Sequence, residues 1–176
     1  MTRARSALVV GACLAVFIAL GSYAWNHPVH PPTTTTTTTS SRSACTSRGG
    51  LPDPTCTPGA LNPSVTQATI GKTICVRGWT ATVRPPTSYT NPLKLKLMAK
   101  YGDGTDTSQV ELDHLVPLEL GGAPSSVLNL WPEPWNGPTG AHTKDQTENR
   151  LKADVCAGRT LLSAAQHAIA TDWTKS

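Results

Sequence analysis

Residues 111–122 read ELDHLVPLELGG, an apolar stretch interrupted by three acids and a histidine. If the stretch is a strand, alternation places Glu111, Asp113 and Glu119 on one face and the aliphatic side chains on the other. His114 falls on the apolar face, where a histidine bonded to backbone is the plainest interpretation. Pro117 cannot donate to a strand ladder, so the chain can bend there and bring Asp113 and His114 to one site. The stretch therefore predicts a hairpin able to carry a functional site.

The first 44 residues differ in character from the rest of the chain. Arg3 and Arg5 precede an apolar run that ends on small residues, which is typical of an export signal or a membrane anchor over residues 1–25. The Pro- and Thr-rich residues 26–44 cannot bury a core and are interpreted as a linker. We therefore predict a folded domain over residues 45–176, outside the cytoplasm and either secreted or tethered to a membrane.

The predicted domain is nearly neutral. Of the 15 Lys and Arg residues, Arg3, Arg5 and Arg42 precede the domain, which leaves 12 against 11 Asp and Glu. Such a domain has no global field to attract nucleic acid, so any binding of this kind needs a local basic patch.

Four of the five cysteines lie in the domain, an even count that predicts two disulfides in an exported protein. Three pairings are possible. We favour Cys45–Cys56, which would close a Gly- and Pro-rich loop, and Cys75–Cys156, which would join distant parts of the chain. A zinc site would need cysteines two to four residues apart, and the sequence has none so spaced.

The remaining pattern predicts a small α+β domain. Alternating β-branched residues indicate one or two strands within 64–84, and Pro92 and Gly102 mark the start and stop of a helix over 92–102. A strand follows Asn129. Two helices, over 141–156 and 161–173, complete the domain; the second carries Leu162, Ala165, Ile169 and Trp173 on one stripe.

Asp113-His114, the Gly121-Gly122 turn, Asn129-Leu130 and a helix with a polar start together resemble the HNH endonuclease motif. This resemblance implies a ββα-metal core, a β-hairpin closed by a helix around one divalent ion (Mg²⁺, Mn²⁺ or Zn²⁺). It also implies that His114 is the general base, Asp113 a metal ligand, and Asn129 the residue that holds the loop and orients the base. Neutral imidazole and a hard cation are suited to hydrolysing a phosphodiester.

The third position of the motif departs from the common pattern, because residues PEPWNGPTG lengthen the path to the helix. We assign the helix ligand to His142, with Asn149 as the alternative two turns later. Lys144 and Arg84 are candidate phosphate contacts; for Arg84, a structural role is the main alternative. The tryptophans are interpreted as core residues, except Trp135, which lies in a Pro/Gly loop beside the predicted site.

Residues from about Cys45 to Trp173 also look like a family of exported bacterial proteins that carry an HNH-like domain. The leading interpretation is an exported, metal-dependent endonuclease, acting as a monomer on DNA in preference to RNA. A second interpretation is a non-catalytic module that binds a partner on a nuclease-like scaffold. In a third, the disulfide-pinned N-terminal part is the functional surface and the hairpin only supports it.

Overall fold

The two strands predicted around Asp113 and Asn129 pair with each other in the computed structural model of the chain, which describes residues 44–176. The predicted export signal or anchor, and all of the predicted linker except Ala44, lie outside the described residues. The fold is a small α+β domain stabilised by two disulfides. In chain order its elements are α1 (Trp79–Val83), α2 (Thr87–Tyr101), β1 (Val110–His114), β2 (Leu130–Pro134), α3 (Ala141–Cys156) and α4 (Leu162–Asp172), with 3-10 turns at Ile70–Lys72, Leu118–Leu120 and Trp173–Lys175.

Strands β1 and β2 form an antiparallel hairpin in which His114 is opposite Leu130 and Asp113 is opposite Trp131. The first strand ends at His114, and the chain then turns through Pro117 into the short 3-10 turn. Gly122 is required in this connection, because a Cβ there would lie 1.7 Å from the Val116 carbonyl oxygen. The bend predicted after Asp113 and His114 is therefore present.

The segment 64–84 was predicted as strands, and that prediction is wrong. Its backbone hydrogen bonds are local, such as Cys75 N–H to Ile70 O at 3.0 Å and Trp79 N–H to Val76 O at 3.1 Å. Among residues 44–176 the only strands are β1 and β2, with isolated bridges at Arg48–Leu51 and Leu61–Gly122. The segment is held instead by burial of Ile74 and by the disulfide at Cys75.

Helix α2 begins five residues earlier than predicted, so Pro92 lies inside it rather than at its start. The amide groups of Tyr89 and Thr90 already donate to the Pro86 carbonyl oxygen, which sets the first turn. A proline at position 92 removes only the hydrogen bond to the carbonyl of Ser88. Ser88 is exposed, so water can satisfy that oxygen. The predicted end at Gly102 is confirmed by its left-handed backbone, φ 78°.

The C-terminal helices agree with the prediction. Helix α3 spans 141–156 as predicted, and α4 differs from its predicted range by one residue at each end. The predicted stripe of α4 enters the main core with residues from the hairpin turn and α3; this core comprises Val65, Ile74, Val116, Leu120, Leu151, Val155, Leu162, Ala165, Ile169 and Trp173. A smaller cluster of Cys45, Tyr101, Leu115 and Trp131 packs behind the hairpin.

The two disulfides have the favoured pairing, Cys45–Cys56 and Cys75–Cys156. The second joins residues 81 apart in sequence and fastens the irregular segment before α1 to the end of α3. Two disulfides suit an oxidising environment. Over residues 44–176, none of the helices has both the length and the apolar character needed to cross a membrane.

Candidate functional site

A cleft of about 190 Å³ lies between β1, the 3-10 turn after it, α1 and α3. Its walls carry Arg84, His114 and Asn149, together with five carboxylates from Glu111, Asp113, Glu119, Asp145 and Glu148. The three acids predicted to share one face of the quoted stretch do line this cleft. The predicted site therefore coincides with a strongly acidic concavity, which we call the acidic cleft.

His114 ends β1 and lines the acidic cleft while its side chain is largely buried. Its Nε2 lies 2.9 Å from the carbonyl oxygen of Pro124. A carbonyl oxygen only accepts, so Nε2 carries the hydrogen and Nδ1 keeps its lone pair. Burial lowers the pKa of His114, with Asp113 and the Pro124 contact only partly offsetting that effect. The imidazole is thus neutral near pH 7, with Nδ1 free of hydrogen-bond partners within the described part of the chain.

Asn129 holds the loop that positions His114. Its side chain is fully buried; Oδ1 accepts from Val116 N–H at 2.9 Å, and Nδ2 donates to the carbonyls of Val116 and Ala123 at 2.9 and 3.2 Å. Pro124, which contacts the His114 ring, directly follows Ala123. Asn129 therefore ties both sides of the connection together, which is the loop-holding role that the HNH resemblance implies.

Lys144 lies in the centre of an ion cage formed by Lys144, Asp113, Glu133 and Glu148. Its Nζ is 2.5 Å from Asp113 Oδ2, 2.5 Å from Glu148 Oε1 and 2.9 Å from the His114 carbonyl oxygen. An ammonium group has three hydrogens, and these contacts use all of them. Burial disfavours the ammonium charge, but Asp113 and Glu148 outweigh burial and raise the pKa of Lys144, so the side chain is charged. This lysine, predicted as a phosphate contact, is 1% exposed and bonded internally.

The carboxyl groups of the ion cage differ in their pKa values. Burial opposes ionisation of Asp113, but Lys144 and the hydrogen bond from Glu133 together outweigh burial and lower the pKa of Asp113. Glu133 lies deepest, 3.8 Å from the lysine nitrogen, and burial followed by the Asp113 charge raises its pKa to about 11. Glu133 is placed to bond Asp113, and as the neutral partner it donates to the Asp113 carboxylate. At neutral pH the cage is therefore an Asp113–Lys144 ion pair beside a neutral Glu133 and a largely protonated Glu148.

The carboxyl groups of the acidic cleft resist ionisation, because they are partly buried and close to one another. Burial, with the charges of Asp113 and Asp145, raises the pKa of Glu111 to about 7. Burial raises the pKa of Glu148 to about 8, and Lys144 offsets only part of that rise. Asp113 lines the acidic cleft while Lys144 bonds its Oδ2. A cation bound here would favour the ionised form of these carboxyl groups and would lower their pKa values.

The structure does not bring His142 to Asp113 and His114. His142 is exposed in the first turn of α3, and its ring packs against Trp135, with 5.2 Å between the ring centroids. The helix residues that reach the acidic cleft are Asp145, Glu148 and Asn149. Asn149 Nδ2 donates to the Asp145 carbonyl at 2.7 Å, so its Oδ1 remains available as an acceptor. The alternative ligand, Asn149, is thus nearer the predicted site than the favoured one.

Arg84 follows α1 and is exposed at the rim of the acidic cleft. Its guanidinium makes no ion pair or hydrogen bond to any residue in the range 44–176. The structural role weighed for this arginine, pairing with a carboxylate, does not occur in that range. Arg84 thus stands beside His114 and Glu111 with no ion-pair partner among the residues that the structure describes.

Sequence reasoning did not assign Glu111, Glu119, Glu133, Asp145 or Glu148 to the site. The signal for Glu133 was its place in β2 opposite Glu111, a cross-strand pair of acids that a surface hairpin would disfavour. The i,i+4 spacing of Glu148 and Lys152 predicts an ion pair between them. Instead Glu148 pairs with Lys144, and Lys152 reaches Glu119 at 3.5 Å.

No protein-family model, curated protein or solved structure matches the chain.

Proposed function

We propose that this chain is an exported, metal-dependent endonuclease of the HNH type that hydrolyses phosphodiester bonds in nucleic acid. The observation that carries the proposal is the geometry of His114, which lines one cleft with Asp113 and whose Nε2 contact to the Pro124 carbonyl leaves the lone pair on Nδ1. The two disulfides support export, because such bonds persist in oxidising compartments.

In the proposed reaction, His114 Nδ1 accepts a proton from a water molecule while the water oxygen bonds to phosphorus. The bond from phosphorus to the leaving oxygen breaks, and that oxygen is protonated from solvent. The Nε2 contact to Pro124 keeps the ring in the correct tautomer, and Asn129 keeps Pro124 in place. Burial of the ring favours the neutral form that a base must have.

The acidic cleft suits a hard divalent cation such as Mg²⁺ or Mn²⁺ better than Zn²⁺. Among residues 44–176 there is no cluster of three or more His, Cys, Asp or Glu arranged to hold a metal. Mg²⁺ is usually bound through one or two carboxylates, with water and substrate phosphate completing its shell. Asp113 Oδ1 is our first proposed ligand, and Asp145, Glu148 or Asn149 could provide a second. A bound ion would stabilise charge on the phosphate and the leaving oxygen.

We propose DNA in preference to RNA as substrate. The general test is cleavage of plasmid DNA and of an RNA of similar length by the purified, oxidised full chain with Mg²⁺, Mn²⁺ or Zn²⁺. Cleavage with Mg²⁺ or Mn²⁺ that stops on chelation is expected. Absence of cleavage with every ion would favour a non-catalytic binding module instead.

Asp113→Asn is expected to weaken Mn²⁺ binding about tenfold or more, because an amide oxygen replaces a charged ligand. Asn149→Ala is expected to weaken it less, and His142→Ala to leave it unchanged because His142 does not line the acidic cleft. Titration calorimetry with the full chain measures all three.

The His142 variant is the matched control, since it removes a polar side chain from the same helix. If His142→Ala weakens Mn²⁺ binding more than Asn149→Ala, α3 presents its first turn to the ion and this ligand assignment is wrong.

A further inference from the structure

A second cleft, of about 360 Å³, adjoins the acidic cleft and shares Arg84, Glu111 and His114 with it. Its other walls include Asn91 and Lys94 of α2 and the indole of Trp135. The two clefts thus meet at His114 but differ in character. The first is dominated by carboxylates; the second carries two cations, an amide and an aromatic residue, with Glu111 as its one carboxyl. We call the second the Trp135 groove.

Trp135 is held firmly at the edge of this groove. It directly follows β2, its backbone N–H donates to the Gln109 carbonyl at 3.1 Å, and its carbonyl accepts from His142 N–H at 3.4 Å. The His142 ring packs on the indole with 5.2 Å between centroids and 32° between planes. Trp135 is nevertheless only half-buried. A large aromatic surface supported from behind and open to a groove can stack against a planar ligand.

The cationic side chains of the Trp135 groove, Arg84 and Lys94, are positioned to contact a polyanion. Arg84 is free of ion pairs within the described range and stands where the two clefts meet. Lys94 uses one of its three hydrogens on the Thr107 carbonyl, 2.7 Å away, which leaves two for a ligand. The domain is nearly neutral overall, so these side chains form a local rather than a global attraction.

We propose that the Trp135 groove binds single-stranded nucleic acid, with a base stacked on Trp135 and neighbouring phosphates at Arg84 and Lys94. This inference rests on the proposed function, because it takes the scissile phosphate to lie at His114. Bases in a duplex are stacked on each other and expose only their edges, so they cannot cover an indole without being unstacked. The substrate class is therefore an unpaired strand or a locally opened duplex.

The test measures binding of a fluorescent oligothymidylate of about 8 nucleotides by anisotropy. The full chain carrying His114→Gln, which keeps the hydrogen bond to the Pro124 carbonyl, is used with Mg²⁺ so that binding is observed without cleavage. Trp135→Leu in this background is expected to weaken binding about 5- to 100-fold. Trp135→Phe, which keeps an aromatic face, is expected to retain much of the affinity. The parent should bind an oligonucleotide with abasic positions weakly. Trp135→Leu should bind that oligonucleotide with the same affinity as the parent.

Tyr89→Leu is the matched control, because Tyr89 is an exposed aromatic residue of α2 that does not line the groove. It should leave the affinity unchanged. Arg84→Gln should lower the slope of log affinity against log salt by about 0.7, the value for one phosphate contact with a single strand.

The inference is overturned if Trp135→Leu binds the oligonucleotide as tightly as the parent, or if duplex of the same length binds as tightly as the single strand. If either result is obtained and the wild-type protein still cuts nucleic acid, the Trp135 groove does not bind single strands. The proposed function is then unaffected. If the parent does not bind and the wild type cuts no nucleic acid, both the groove proposal and the proposed function are wrong.

Discussion

Replacing His114 with alanine is expected to reduce cleavage of plasmid DNA by about 10²–10⁴-fold, the usual contribution of a general base. The ring is the only imidazole lining the acidic cleft, and its Nε2 is committed to Pro124 while Nδ1 faces no protein partner in the range 44–176. Removing it leaves water without a base at the phosphate. Rates of supercoiled plasmid nicking, compared at saturating Mg²⁺, measure the loss.

His167→Ala is the matched control, since His167 is exposed on α4 and outside the acidic cleft. It should cleave like the wild type. Because His114 is largely buried, alanine could also disturb the fold, so His114→Gln is tested beside it. A glutamine amide can still donate to the Pro124 carbonyl but is not a base. A folded His114→Gln enzyme with near wild-type cleavage would rule out the proposed mechanism.

The parts of the site that follow local rules were predictable. Asp113, His114 and Asn129 belong to one hairpin and its connection, and Pro117 and the glycine pair mark where that connection bends. The extent of α3 followed from its polar start and from Gly158 beyond its end. Each of these features is determined by residues that lie close together in the sequence.

Longer-range features were not predictable in the same way. Residues 64–84 alternate like a strand, but a strand needs a partner, and this segment has a disulfide and a buried Ile74 instead. Lys144 has the sequence context of an exposed helical lysine. Only the packing of α3 on the hairpin shows that it enters a cage of carboxylates from both strands. The position of His142 depended on the path of the Pro- and Gly-rich loop before α3, which turns its ring toward Trp135.

The ion cage leads to the second large effect. Lys144→Met, which keeps the length of the side chain and removes its charge, is expected to lower the free energy of unfolding by about 3–5 kcal/mol at pH 7. Asp113 would then lie in a buried setting without its cation. Urea unfolding in the presence of a chelator measures the change without any contribution from bound metal.

Lys152→Met is the matched control, because Lys152 forms a more exposed pair with Glu119, with side chains 34% and 17% exposed. It should cost less than about 1 kcal/mol. Equal losses for the two variants would show that the cage contributes no more than a surface pair.

The pH dependence of the Lys144→Met effect has a definite sign. In the wild type, Lys144 and the hydrogen bond from Glu133 together outweigh burial and lower the pKa of Asp113. The contribution of Asp113 to stability is therefore present above its ordinary pKa and is lost as pH falls through the lowered value. Without Lys144, burial prevails and raises that pKa, so the variant gains stability as pH falls. The difference between wild type and variant should therefore narrow toward acid pH. A difference that stays constant from about pH 7 to 5 would contradict this account.

Combining Lys144→Met with Asp113→Asn separates stability from activity. Neutralising both partners removes the buried charge that the single variant leaves behind, so the double variant should be more stable than Lys144→Met alone. It should still fail to cleave plasmid, because the carboxylate oxygen proposed to hold the metal has been lost with Asp113. If the double variant is more stable than Lys144→Met and also cleaves plasmid, Asp113 serves only to pair with Lys144. The metal ion then has its ligands elsewhere in the acidic cleft. If stability returns without cleavage, the Asp113–Lys144 pair serves the proposed site by holding a charged carboxylate beside His114, at a position where burial alone would protonate it.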